Sequence, residues 1–206
     1  MLYGLKQASY QWNAKLSAAL IHKGFEQSKF DPSLFTTGNG ASFIVILVYV
    51  DDILITSSSL TLIQDLKSFL DSEFKIKDLG SLGYFLGIEA HMNTSGLNIC
   101  QRKYALDILE EPGFLNCKPV ATPMVPGQRL TKENGSSLSD AAPYRRLVGR
   151  LLYLMATRPD LTYATQQLSQ FVDSPTSEHM SAAHRVLCYI KGAPGQGLLY
   201  PANSSI

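Results

Sequence analysis

Few features of this 206-residue chain narrow its class at once. Its three cysteines, Cys100, Cys117 and Cys188, are far apart and form no C-x-x-C pair. An odd number at such spacing argues against a disulfide framework or a zinc site, and leaves reduced thiols in an intracellular protein as the expectation. His179 and His184 are five apart, not the i, i+4 spacing of a helical zinc pair, and read as surface residues. No apolar run approaches the roughly 20 residues of a membrane span. The opening MLYGLKQASYQWN has no apolar core for a signal peptide, so secretion is not expected. Net charge is only +1, which by itself makes no case for a polyanionic partner. There is no internal repeat and no low-complexity tract.

What the chain does have is hydrophobic content, 45%, enough for a real core. Its densest stretch is Phe43 to Ser57, FIVILVYVDDILITS. β-Branched and aromatic residues favour strand there over helix. Two apolar runs meeting at Asp51 and Asp52 read as a hairpin with Asp51-Asp52 at its tip. An ordinary polar turn is one explanation. Two adjacent carboxylates repel, however, and a chain needing only a turn has Asn-Gly or Asp-Gly to use. A divalent cation would remove the repulsion, which makes a metal-binding hairpin the other explanation. Charge is also uneven: residues 1–100 hold 7 Lys and Arg against 9 Asp and Glu, residues 101–206 hold 11 against 8. An acidic site beside a mildly basic region suits a polyanion track, although so small a difference also suits nothing in particular.

Along the chain, Ala8 to His22 predicts a helix with Trp12, Leu16, Ala19 and Leu20 on one face. Its closeness to the start suggests that the sequence opens inside a larger domain. Phe30 to Phe35 reads as a turn into a short strand, and Leu60 to Phe74 as a helix burying Leu62, Ile63, Leu66, Phe69 and Leu70. Leu82 to Ala90 reads as a strand paired with Leu97 to Cys100, and Gln101 to Glu111 as a helix ended by Pro112-Gly113. Residues 116–142, rich in Pro, Gly and Ser, read as a structure-poor linker crossing an open surface. Helices follow over Pro143 to Thr157, Pro159 to Phe171 and Ser177 to Lys191, and Leu198 to Tyr200 begins an element left unfinished. The fold class expected is α+β, a sheet domain followed by a small helical one.

Tyr49-Val50-Asp51-Asp52 on a hairpin resembles the signature of reverse transcriptases. Its surroundings resemble the polymerase of copia-type LTR retrotransposons, in order: Leu2-Tyr3-Gly4-Leu5-Lys6-Gln7-Ala8 with Trp12, Asp31 to Phe35, Val48 to Ile53, Lys77 to Gly80, Tyr84 to Glu89 and Gln101 to Tyr104. Tyr144 to Gly149, Thr157 to Asp160 and Arg185 to Gly192 resemble the connection region of the same Pol polyprotein. The resemblance covers essentially the whole chain.

It implies an antiparallel palm sheet with flanking helices and primer-grip region over 1–115, a linker over 116–142, and a helical connection or thumb region over 143–206 ahead of a ribonuclease H domain. The implied chemistry is attack of a primer 3′-hydroxyl on the α-phosphate of a deoxynucleoside triphosphate, with two Mg2+ ions about 4 Å apart. Asp51 would be the firmer metal ligand and Asp52 the supporting one. Tyr49 would lie under the primer end. Tyr3 and Gly4 would line the incoming nucleotide, and Lys6 and Gln7 would touch nucleotide or template; an exposed helix-start lysine explains Lys6 as well. Tyr84, Phe85, Leu86 and Gly87 resemble the primer grip. Lys75 and Lys77 are candidate leaving-group acids, with surface lysines the simpler reading. Arg145, Arg146, Arg150 and Arg158 suit either template-primer phosphates or a charged outer helix face. Trp12 and Phe85 read as core.

The implied partners are an RNA or DNA template-primer, deoxynucleoside triphosphates and the remaining Pol domains: fingers, integrase and ribonuclease H. No membrane is implied, and the implied location is a cytoplasmic virus-like particle or the nucleus. In the family the fingers and a first catalytic aspartate lie upstream of the part matched here. The expectation is therefore a polymerase fragment inactive by itself, the alternatives being a non-catalytic nucleic-acid-binding remnant or a purely structural one. Ser9-Tyr10 and Glu111-Pro112-Gly113 depart from the family pattern.

Overall fold

A computed structural model describes residues 6–203. The chain divides into two compact units, Met1–Leu82 and Gly83–Ile206. Both are mixed helix and antiparallel sheet, so the α+β expectation holds. The sequence texture had suggested a break after residue 115; by packing, the strands and helix of 84–110 belong with the later helices.

The first unit begins with α1 (Lys6–His22), then β1 (Glu26–Gln27), β2 (Leu34–Thr37), β3 (Ile44–Tyr49), β4 (Asp52–Ser57) and α2 (Leu60–Phe74). The four strands lie in sequence order in one antiparallel sheet. Register decides which face is buried, because side chains alternate along a strand. Phe35 pairs with Ile46, Ile46 with Ile55, and Val48 with Ile53. These residues pack with Leu16 and Leu20 of α1 and Leu66 and Leu70 of α2, so both helices cover one face. On the other face lie Leu34, Leu47, Leu54, Tyr49 and Asp52, none of them buried. α1 starts two residues before the expected Ala8, and Trp12 is half-buried against this core as expected. The turn into β2 is set by Asp31, whose carboxylate accepts from the Ser33 N–H at 2.9 Å and hydroxyl at 2.6 Å; these bonds hold its pKa below the ordinary value. After α2, Lys75 takes the left-handed cap conformation, and Lys67 ties Asp78 at 2.9 Å.

The second unit holds β5 (Tyr84–Phe85), β6 (Ile88–Asn93), β7 (Gly96–Cys100), α3 (Arg102–Glu110), α4 (Ala142–Leu154), α5 (Thr162–Ser169), α6 (Ser177–Gly192) and β8 (Gly197–Pro201). Two expectations change here. Residues 82–90 are two strands, not one, because the chain reverses at Leu86-Gly87. Leu198 to Tyr200 is finished locally: β8 pairs along all of β7 and completes a sheet ordered β5-β6-β7-β8. Helices α3 to α6 share one core that includes Ile108, Leu109, Tyr144, Leu151, Leu168 and Leu187. Tyr144 is fully buried and its hydroxyl donates to the Leu168 carbonyl at 2.7 Å, which satisfies the polar end that this side chain brings into the core.

Residues 117–141 form no helix and no strand, as expected, but they do not cross an open surface. Leu130 is buried in the helical core, the Leu138 N–H donates to the Pro175 carbonyl, and Ser137 bridges to Thr176. The anchor is His179, expected at the surface and found 0% exposed. It stands at the third position of α6 and takes the part usually played by Glu or Gln in a capping box. The Thr176 N–H donates to its Nδ1 at 3.0 Å, its ring stacks on Phe171, and its Nε2 lies 3.1 Å from the Thr131 carbonyl. Because Nδ1 accepts, Nε2 carries the proton and donates. A five-residue spacing of histidines cannot reveal this, since the partner is a carbonyl 48 residues away.

Candidate active site

The Phe43 to Ser57 stretch is the expected hairpin, but its tip is one residue earlier than expected. Tyr49 pairs with Asp52, so the loop is Val50-Asp51 and Asp52 already belongs to β4. Apolar pairing overrides turn preference. The observed register sets Ile46 against Ile55 and Val48 against Ile53 on the helix-covered face. A tip at Asp51-Asp52 would slide Ile46 opposite Ser57 and push Val50 into that row. The consequence falls on Val50, which takes φ +53°, while Asp51 stays at negative φ. A two-residue loop with positive φ at its first position ordinarily holds glycine. For a β-branched residue the left-handed conformation costs about 1–2 kcal/mol. Such strain persists only where surrounding structure imposes it.

The two carboxylates therefore stand on different features. Asp51 is at the apex of the loop, and Asp52 is on the helix-free face opposite Tyr49. Both are exposed, and among the described residues neither takes part in a hydrogen bond or an ion pair. Two adjacent, unpaired, hard oxygen donors fit a hydrated divalent cation of the magnesium class. Tyr49 is 54% exposed beside them.

Tyr84, Phe85, Leu86 and Gly87 form the other expected site element. Phe85 pairs with Ile88, and the two-residue loop has φ +50° at Leu86 and +79° at Gly87. This is the conformation with positive φ at both positions that matches strand twist. The Leu86 carbonyl accepts a hydrogen bond from the Tyr153 hydroxyl of α4. Tyr153 meets Tyr104 edge-on with centroids 5.0 Å apart, and the Arg150 guanidinium lies 5.6 Å from the Tyr104 ring. Phe85 is half-buried. Nothing in the sequence pointed to Tyr153, which is 67 residues from its partner.

The remaining expected residues fare unevenly. Tyr3 and Gly4, with the side chains of Lys6 and Gln7, lie outside the described residues. Lys75 and Lys77 are exposed. Of the arginines, Arg158 is not on an outer face: it is 1% exposed, and its guanidinium bonds both oxygens of Asp160, at 2.9 and 2.8 Å, and the Ala193 carbonyl at 3.0 Å. That burial removes it as a contact for an outside phosphate. Arg146 and Arg150 are both held by Glu111, a residue of the Glu111-Pro112-Gly113 stretch that departs from the family pattern. Arg145 donates to the carbonyls of Val172 and Asp173.

Several known proteins are similar to this chain in sequence. The profile of the family described as "Reverse transcriptase (RNA-dependent DNA polymerase)" matches residues 1–126. The chain is 44% identical over its whole length to the retrovirus-related Pol polyprotein from transposon RE1 of Arabidopsis thaliana, and spans 14% of that protein's length. It is 34% identical to the retrovirus-related Pol polyprotein from transposon TNT 1-94 of Nicotiana tabacum, of which it spans 16%. It is 31% identical to the putative transposon Ty5-1 protein of Saccharomyces cerevisiae, and spans 67% of that chain. No solved structure matches. No helix among the described residues is long and apolar enough to cross a membrane. With the family profile matched over residues 1–126, and 34–44% identity to these polyproteins along the whole of this chain, the chain belongs to the reverse transcriptase (RNA-dependent DNA polymerase) family of copia-type retrotransposons.

Proposed function

We propose that the first unit is the palm of an RNA-directed DNA polymerase, in which Asp51 and Asp52 hold Mg2+ for transfer of a deoxynucleotide to a primer 3′-hydroxyl. The observation that carries the reading is the hairpin itself. Its sheet buries one face under two helices and leaves the other free, and the acidic pair stands unpaired where that free face meets a strained loop. Bound divalent ions would neutralise charge on the entering and leaving oxygens. The chain's own part is to present Asp51 and Asp52 as hard ligands and to offer Tyr49 as a rigid surface under the primer end. Tyr3, Gly4, Lys6 and Gln7 would line the nucleotide, and the Tyr84–Gly87 turn would hold the primer strand by its backbone. RNA or DNA template-primer, deoxynucleoside triphosphates and the other Pol domains are the partners this reading requires.

Two carboxylates do not complete a two-ion site, and by family resemblance the third comes from a strand outside these 206 residues. Among the described residues β4 is the last strand of its sheet, and no described strand pairs with its outer edge. The chain by itself is accordingly inactive. Primer extension with Mg2+ on the purified chain should give no product; template-dependent incorporation abolished by Asp51→Ala would overturn the inactivity. Joined to its upstream polymerase sequence, the same chain should extend primers, and Asp51→Ala or Asp52→Ala should abolish this without altering the circular dichroism spectrum. Full extension by both variants would overturn the site assignment. A nucleic-acid-binding remnant is the weaker reading, because Arg146 and Arg150 share the Glu111 carboxylate, which offsets one of their two charges, and Arg158 is buried.

A further inference from the structure

We propose that Glu89, His91 and Cys100 form a binding site for a divalent ion of the zinc class on the sheet of the second unit. Sheet register brings them together. Glu89 pairs directly with Cys100 across β6 and β7, and His91, two residues beyond Glu89, projects from the same face. One potential ligand atom from each lies within 4.8 Å of the other two, and His91 Nε2 is 3.9 Å from Glu89 Oε2. Bond lengths of about 2.0–2.3 Å in a tetrahedral zinc site put neighbouring ligand atoms about 3.3–3.6 Å apart. The gap to be closed is thus an ångström or so, and the His91 side chain, 65% exposed, is free to turn.

The surroundings suit a site with three protein ligands and one open position. Cys100 is buried, Glu89 half-buried and His91 exposed, so the cluster has a floor and an open side. Glu89 is oriented by its second oxygen: Oε1 accepts the Lys103 N–H at 2.8 Å in the first turn of α3, leaving Oε2 for the ion. Outer hydrogen bonds of this kind fix ligating carboxylates in metal sites. Gly197 on β8 opens the space beside Cys100; a Cβ there would stand 2.7 Å from the Cys100 Cβ. A thiolate, an imidazole and a carboxylate select zinc or cobalt over magnesium. With the thiol proton released to solvent and a metal–sulfur bond formed, the ion and its two anionic ligands are neutral together, and no oxidant or reductant is needed. The site therefore stands apart from the Asp51-Asp52 pair in chemistry and is independent of the polymerase reading. Zinc spacing rules miss it because the ligands come from two strands.

Co2+ titration of the purified chain tests this. One equivalent should produce near-ultraviolet sulfur-to-cobalt absorption with visible tetrahedral bands, bleached by Zn2+ and unaffected by Mg2+. His91→Ala, at an exposed position, should weaken binding by 10–100-fold or more, a scale on the order of what even outer partners contribute. Cys100→Ser should lose the sulfur band, whereas Cys117→Ser with Cys188→Ser should keep it. Overturning results are the absence of any sulfur band, binding unchanged by His91→Ala, or a band that survives Cys100→Ser and vanishes with Cys117 and Cys188.

Discussion

Removing the charge of Asp160 should destabilise the second unit more than removing its partner Arg158. Arg158 is 1% exposed, and its charge is met by a two-pronged bond to Asp160 and a single bond to the Ala193 carbonyl. Its guanidinium also lies 5.7 Å from the Tyr189 ring centroid. Asp160→Asn leaves that cation buried with only neutral partners. Breaking a fully buried pair this way costs about 3–5 kcal/mol. The Asp160 side chain is 25% exposed, so water can reach the vacated prong, and the low end, about 3 kcal/mol, applies. Arg158→Met keeps most of the packed stem and leaves Asp160 at a position where water can solvate it, a loss of about 1 kcal/mol. The double variant should behave like Arg158→Met alone, giving a coupling of about 2–3 kcal/mol. For a unit of roughly 120 residues, Tm should fall by about 10 °C for Asp160→Asn and about 4 °C for Arg158→Met, read by circular dichroism or calorimetry. The pair also sets an acid limit. Burial pushes the Asp160 carboxyl up, but the Arg158 hydrogen bonds and charge, with the Tyr189 hydroxyl, outweigh it and hold the pKa below the ordinary value. The stability gained is present above about pH 4 and lost as pH falls through the lowered pKa. If Arg158→Met proves as costly as Asp160→Asn, the buried cation is not what the site is built to satisfy.

His179 should impose a separate pH dependence nearer neutrality: burial holds its pKa below the ordinary 6.5, so the unfolded chain takes up the proton first, and stability should be full above about pH 6.5 and decline below it. Urea midpoints between pH 7.5 and 5.5 test this, with a flatter profile expected for His179→Gln. Val50→Gly should relieve the φ +53° loop and stabilise the first unit by up to about 1 kcal/mol, the left-handed penalty less the entropy glycine restores to the unfolded chain. Destabilisation in urea unfolding would show that the loop is unstrained. Gly197→Ala should detach β8, because a Cβ there would stand 2.0 Å from the Ile99 carbonyl oxygen. Hydrogen exchange at Leu198 to Tyr200 should rise sharply while the α6 core stays protected; unchanged protection would refute the close approach.

What could be read from the sequence was whatever neighbours in the chain determine. The hairpin of Phe43 to Ser57 was legible because alternation and β-branched residues act locally, and Leu16, Leu20, Leu66 and Leu70 were legible because helical spacing selects them. The tip was misplaced by one residue because Ile46 meeting Ile55 and Val48 meeting Ile53 outweigh the turn preference of two aspartates, which only the paired strand reveals. The residues that escaped each have at least one partner far along the chain: Tyr153 has Leu86, His179 has Thr131 besides its neighbour Thr176, and Arg158 has Ala193 besides its neighbour Asp160. Each is a polar group brought into or against a core, where it must find a hydrogen-bond partner, and propensity has no term for that. The same asymmetry separates the two candidate metal sites. Asp51 and Asp52 are adjacent in sequence and announce themselves; Glu89, His91 and Cys100 become a ligand set only once β6 and β7 are in register.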